Sequence, residues 1–140
     1  MSEAEIAFVN AFVVKDARER WLSLLPSERG RGKITVRLAH TLLKDLDARF
    51  VYDKDAPPPD IAAAVQKVRE QWAVRNPKRL CHIIANNSEV DGQTMSLSDA
   101  EADPRLTFGA LILLIPDRLA YYHTERSNLN KQPYYLLFRP

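Results

Sequence analysis

Apolar positions in the first eighty residues recur at helical spacing. Ile6, Val9, Val13, Ala17, Trp21, Leu24 and Leu25 form one stripe behind Ser2 and Glu5, an S-x-x-E pair that reads as a capping box. The pattern predicts a first helix to about Leu25, where Pro26 removes a backbone donor and stops it. Residues 27–32, Ser-Glu-Arg-Gly-Arg-Gly, read as a polar turn, and Ile34, Leu38, Leu42 and Leu46 then share one side of a second helix that ends near Leu46. From Asp47 to Asp60 the period is lost: Phe50 to Tyr52 reads as a short extended piece, and Pro57 to Pro59 impose a stiff connection. Asp60 reads as the N-cap of a third helix, with Ile61, Val65, Val68 and Trp72 on its inner face and Pro77 ending it.

After Arg79 the period changes. Leu80 to Ala85 predicts a strand, Asn86 to Gln93 a polar loop, and Ser96-x-x-Asp99 the cap of a short helix reaching about Ala102. Phe108 to Ile115 is apolar at every position save Gly109, as a central strand is, and Pro116-Asp117 turns it into Leu119 to Thr124, with Tyr134 to Phe138 as the last strand. Strands joined by so short a turn are antiparallel. The expected fold is α+β: three N-terminal helices packed on one face of a C-terminal antiparallel sheet of about four strands, with one short inserted helix. One domain spanning 1–140 is expected, helical over 1–79 and sheet over 80–140.

Composition is that of an ordinary globular chain, 46% hydrophobic and 27% charged, so a packed core is expected rather than disorder. The one cysteine, Cys81, excludes an internal disulfide. The first residues are acidic before they are apolar, the wrong order for a signal peptide, and the longest apolar run, Phe108 to Ile115, is far below the ~20 residues of a membrane-spanning helix. A cytoplasmic location, with no membrane contact, is expected. Net charge is +2, but residues 1–79 hold 15 Lys/Arg against 11 Asp/Glu and residues 80–140 hold 5 against 7, which directs any polyanion to the helical half.

Candidate chemistry is sparse. Gly30-Arg31-Gly32-Lys33 suggests a phosphate loop, yet Ser27 stands where the first glycine belongs and Ile34 where a magnesium-binding Ser or Thr belongs. Lys33, Arg37, His40 and Lys44 share the polar side of the second helix, with Arg29 and Arg31 ahead of them, a candidate contact for nucleic acid phosphates or an acidic protein, although no aromatic residue is interleaved to stack on bases. The loop residues Glu89 and Asp91 precede Gly92 as in half of a calcium loop, but Ser98 occupies the place of the bidentate glutamate, so turn formation explains them as well. Cys81 and His82 point to opposite faces of their strand, and His40, His82 and His123 fall on three elements, so no metal site and no cofactor are expected.

Leu119, Tyr121, His123 and, if the strand extends, Glu125 alternate to one face, with Arg118 at the turn and Arg126 just beyond. His, Glu and Arg together can move a proton from a ribose hydroxyl and neutralise a phosphorane. Helices followed by a sheet bearing such residues resemble the barnase and RelE class of metal-independent ribonucleases in architecture and residue type, without a shared motif. Separately, Ser88-Glu89-Val90-Asp91-Gly92, Leu97 and Ala100, Leu114-Ile115-Pro116 and Leu119-Ala120-Tyr121-Tyr122, within residues 81–122, resemble a pattern found in small uncharacterised bacterial proteins; this implies a bacterial origin and supplies no activity. Two expectations follow. The first is a non-catalytic binding or regulatory domain that contacts protein or nucleic acid through the basic helix face or the 86–93 loop. The alternative is a ribonuclease-like enzyme using His123, Glu125, Arg118 and Arg126.

Overall fold

The apolar stripe of the first thirty residues is carried by two helices rather than one: α1 (Glu3–Phe12) and α2 (Lys15–Leu24). Val13 and Val14, β-branched neighbours, adopt extended backbone between them. Their backbone groups find partners elsewhere: Val13 bridges Leu46, the Val14 N–H donates to the Asp45 carbonyl (2.7 Å), and the Arg18 Nε donates to the Val13 carbonyl (2.9 Å). The buried face of α1 is Glu5, Phe8, Val9 and Phe12, so Ile6 lies outside it. These coordinates, a computed structural model, describe residues 1–39, 42–124 and 134–140, with Leu42 described by its backbone alone.

The expected polar turn at 27–32 is instead helical. α3 (Glu28–Thr35) begins there, with Ser27 as N-cap accepting from the Gly30 N–H at 3.0 Å. Gly30 permits this because a Cβ at that position would lie 2.4 Å from the Leu24 carbonyl oxygen, so α2 and α3 cross in close contact. Beyond Thr35 the expected second helix tightens into 3-10 turns at Val36–Ala39 and Leu42–Asp45, after the β-branched run Ile34-Thr35-Val36. Ile34, Leu38 and Leu46 are still buried, as their spacing predicts. A third helix of the expected extent follows as α4 (Pro59–Arg75), burying Val65, Val68 and Trp72; its N-cap is Pro58 rather than Asp60, and Pro59 enters its first turn without loss because that N–H has no helical partner.

The antiparallel sheet has six strands among the described residues, not four. They are β1 (Val51–Asp53), β2 (Leu80–Ala85), β3 (Thr94–Ser96), β4 (Ala110–Ile115), β5 (Leu119–His123) and β6 (Tyr134–Phe138), in the order β1-β6-β5-β4-β2-β3. The short helix α5 (Leu97–Ala102) starts at Ser96, whose hydroxyl accepts from the Asp99 N–H as the motif predicts. Helices cover both faces of the sheet rather than one. Ile84, Leu111, Leu113, Ala120, Tyr122 and Leu137 pack on α1, α2 and α3, while Ile83, Ile112, Leu114, Tyr121, Leu136 and Phe138 pack on α4 and α5. Two apolar layers explain why β4 reads as continuously hydrophobic. Among the described residues no helix is long and apolar enough to cross a membrane.

Gly109 delays the start of the expected strand by two residues, to Ala110. Its φ of +118° is a conformation that side chains disfavour, and a Cβ would lie 2.9 Å from the backbone of both Leu38 and Ala39. The strand's start and the 36–39 turn therefore meet backbone to backbone, while the Gly109 carbonyl accepts from the Asn86 N–H at 3.0 Å. Gly109→Ala should therefore cost about 2 kcal/mol, combining strain with forced separation of the two segments. Urea unfolding of the variant beside the parent measures this; an unchanged midpoint would mean that the two segments are not in close contact.

Candidate partner-binding corner

The basic residues of the helical half do not share one fate. Arg31 turns inward and makes two hydrogen bonds to Glu5, Nη1 to Oε1 at 2.7 Å and Nη2 to Oε2 at 2.6 Å, and on its other edge donates to both carboxylate oxygens of Asp91. His82 Nε2 meets the same Glu5 Oε2 at 2.7 Å, and the Ala85 N–H donates to Asp91. This cluster ties α1, α3, β2 and the 86–93 loop together. Burial alone would raise the Glu5 pKa, but the hydrogen bonds from Arg31 and His82 outweigh it and hold the carboxyl at about 2; the Glu5 contact raises that of Arg31 further. Arg31 and Asp91 thus satisfy each other. Asp91 faces a guanidinium where a calcium ligand would face the metal ion, and Glu89, exposed in the same loop, approaches Arg105. Among the described residues no group of His, Cys, Asp and Glu is arranged to hold a metal ion.

A second anchor takes Arg37. Asp45 is buried and receives Arg20 Nη2 at 2.7 Å, Trp21 Nε1 at 3.0 Å and Arg37 Nη1 at 3.3 Å. Arg29, Lys33 and Lys44 remain exposed and carry no ion pair among the described residues. His40 lies outside the described residues.

The fold also leaves apolar groups at the surface, among them Phe108, which the sequence places in a central strand. Phe108 is 57% exposed and Val36 59%, with Leu43 also at the surface. Contact between Gly109 and the Leu38–Ala39 backbone sets Phe108 next to the 36–39 turn, directly after the helix that carries Arg29 and Lys33. Exposed cations and exposed apolar side chains thus occur together along α3 and the turns after it, with the backbone at Gly109 set against those turns. One signal could have revealed it: Gly109 interrupts the apolar run and separates Phe108 from the six strand positions that follow.

β5 is disposed differently. Leu119, Tyr121 and His123 do share a face, the one covered by α4. His123 is 4% exposed, its ring stands edge-on to Tyr134 at 4.2 Å, and its Nε2 has no hydrogen-bond partner among the described residues. Burial, with a smaller contribution from the Lys54 ammonium, lowers its pKa to about 3, so the ring is neutral at ordinary pH. Arg118 is exposed in the Pro116–Arg118 turn at the opposite end of the strand, roughly 17 Å away at the usual rise per residue. Glu125 and Arg126 lie outside the described residues. The sheet also separates Lys33 and Arg37 from His123, which face opposite layers. Cys81 is buried beneath α4 and α5, which pushes its thiol up to about 12.

Comparison with protein-family models, with curated proteins and with solved structures finds no match to this chain.

Proposed function

We propose that this chain is a non-catalytic binding domain that engages an acidic protein surface through the corner of Phe108, Val36 and Leu43 rimmed by Arg29, Lys33 and Lys44. The observation that carries this reading is the exposure of Phe108 and Val36 together with the exposed cations Arg29, Lys33 and Lys44, which no carboxylate among the described residues pairs. An aromatic anchor within a charged rim is the usual anatomy of a protein interface. Apolar groups of this size at the surface of a chain that buries Phe8, Phe12 and Trp21 completely have no role in its core.

Nucleic acid is the weaker candidate, since Phe108 is the one stacking face among the three apolar groups and Arg31, the most central guanidinium of the stripe, is committed to Glu5 and Asp91. Catalysis on RNA has less support again, because His123 is buried and neutral and Arg118 sits at the far end of its strand. A photo-crosslinking residue at position 108, in the cells that express the protein, tests the proposal. Adducts to protein should form, resist nuclease, and disappear when Lys33→Glu and Lys44→Glu are added. Nuclease-sensitive adducts, or adducts indifferent to charge reversal, would remove it.

A further inference from the structure

On the opposite side of the sheet, α4 and α5 enclose a groove of about 480 Å³, within the range of small-molecule sites and well away from the corner described above. Its walls carry three cations, Arg69 from α4 and Lys78 and Arg79 from the turn that follows, opposite the hydroxyls of Ser96 and Ser98, with Trp72 forming an apolar side. None of the three cations is ion-paired among the described residues. Arg69 also lies close to Tyr121 beneath the groove, where burial raises the phenol pKa and Arg69 partly offsets it.

Arg79 has a backbone that its residue type disfavours. Its φ is +49°, the left-handed region, and among the described residues no other non-glycine position has a positive φ. The conformation is fixed from both sides: its N–H donates to the Asn76 carbonyl at 2.9 Å and its carbonyl accepts from the Leu97 N–H at 3.3 Å. Glycine or asparagine suits such a position better, so an arginine held there at the mouth of a cationic groove is most simply explained by use of its side chain.

We propose that the α4–α5 groove binds a small organic oxyanion, a carboxylate or a phosphate ester, through Arg69, Lys78 and Arg79, with the serine hydroxyls as further donors. Glu70 and Glu101 also line the groove, where they can accept from a hydroxyl or ammonium group that a ligand carries beside its anion, an addition that anion binding itself does not require.

Trp72 reports on the site, because Trp21 is wholly buried in the other apolar layer. Intrinsic fluorescence is followed while the full chain is titrated with citrate and, separately, with inorganic pyrophosphate at millimolar concentration, against chloride at matched ionic strength. At least one of the two should give a saturable change that chloride does not. Saturation by citrate alone identifies carboxylate chemistry, and by pyrophosphate alone phosphate chemistry. Arg79→Gly and Lys78→Gln should each weaken that binding about tenfold, the effect of removing one charge-assisted hydrogen bond. Arg79→Gly relieves the positive φ and keeps the turn, so its melting temperature should not fall and lost affinity cannot be ascribed to unfolding. The proposal is overturned if neither anion saturates, if chloride reproduces the change, or if Arg79→Gly binds as the parent does.

Discussion

Arg31→Met should lower the stability of the fold by about 3 kcal/mol, or roughly 10 °C in Tm for a chain of this size. The substitution approximates the volume of the side chain while leaving Glu5, which is 1% exposed, and Asp91 facing each other without their shared cation. Removing one member of a buried charge cluster costs far more than the cluster contributes relative to apolar packing, because the desolvated partners are left uncompensated. Arg31→Lys should recover only part of the loss, since an ammonium cannot make paired contacts to two carboxylates at once. Loss of less than about 1 kcal/mol in Arg31→Met, by urea unfolding, would mean that water substitutes for the guanidinium and that the cluster is not a structural joint.

A second large effect is expected in the pH profile. Folding lowers the His123 pKa from 6.5 to about 3 because its ring is buried, beside Lys54, and among the described residues its Nε2 has no partner. As pH falls below 6.5 the unfolded chain therefore takes up this proton before the folded one does. Stability that is full above 6.5 is lost progressively towards pH 3. Glu5 acts in the same direction over a lower window: folding depresses its carboxyl from 4.5 to about 2, so its contribution is present above 4.5 and is lost as pH falls to 2. The slope between pH 6.5 and 4.5 is thus assigned to His123, and it should amount to roughly 2 kcal/mol. In His123→Phe that slope should vanish, while stability at neutral pH should hold or rise because an unsatisfied buried nitrogen is removed. Urea midpoints for both proteins across this range measure it, and a slope that persists in His123→Phe contradicts the assignment.

The parts of this fold that the sequence discloses are those whose periods are long and unbroken. α4 announces itself through Val65, Val68 and Trp72, and β2, β5 and β6 through short apolar runs bounded by turns. The break at Val13–Val14 is hidden because Phe12 and Ala17 still face one core across it; the bend is held by Asp45 and Leu46, which are thirty residues away in sequence. β1 is legible only as the short extended piece at Phe50 to Tyr52, and β3 is not; each is three residues long, too short for alternation to register, and forms only against its neighbours. Glu5 shows a subtler failure. Ser2 does cap α1, but the Glu5 side chain reaches Arg31 and His82 instead of turning back to the cap. A clue was available, because Glu5, Phe8 and Phe12 stand at i, i+3 and i+7 and place a carboxylate on the buried stripe. Such a residue demands a cation, and Arg31 supplies it. Phe108 is marked more faintly: an apolar residue before an apolar strand reads as core, and the local hint, Gly109 at the junction, gains its meaning only where it abuts the 36–39 turn.

Two kinds of charge are thereby distinguished: those that join elements, around Glu5 and Asp45, and those left at the surface around Phe108. The binding proposal requires that the second kind be dispensable for folding. Lys33→Glu combined with Phe108→Ser tests this most directly, because both side chains are exposed. The account predicts an unfolding free energy within about 0.5 kcal/mol of the parent, as for surface substitutions in general, together with loss of the charge-dependent partner that a crosslinker at a neighbouring surface position captures from the parent. A double variant that folds as well as the parent and still captures that partner would contradict it.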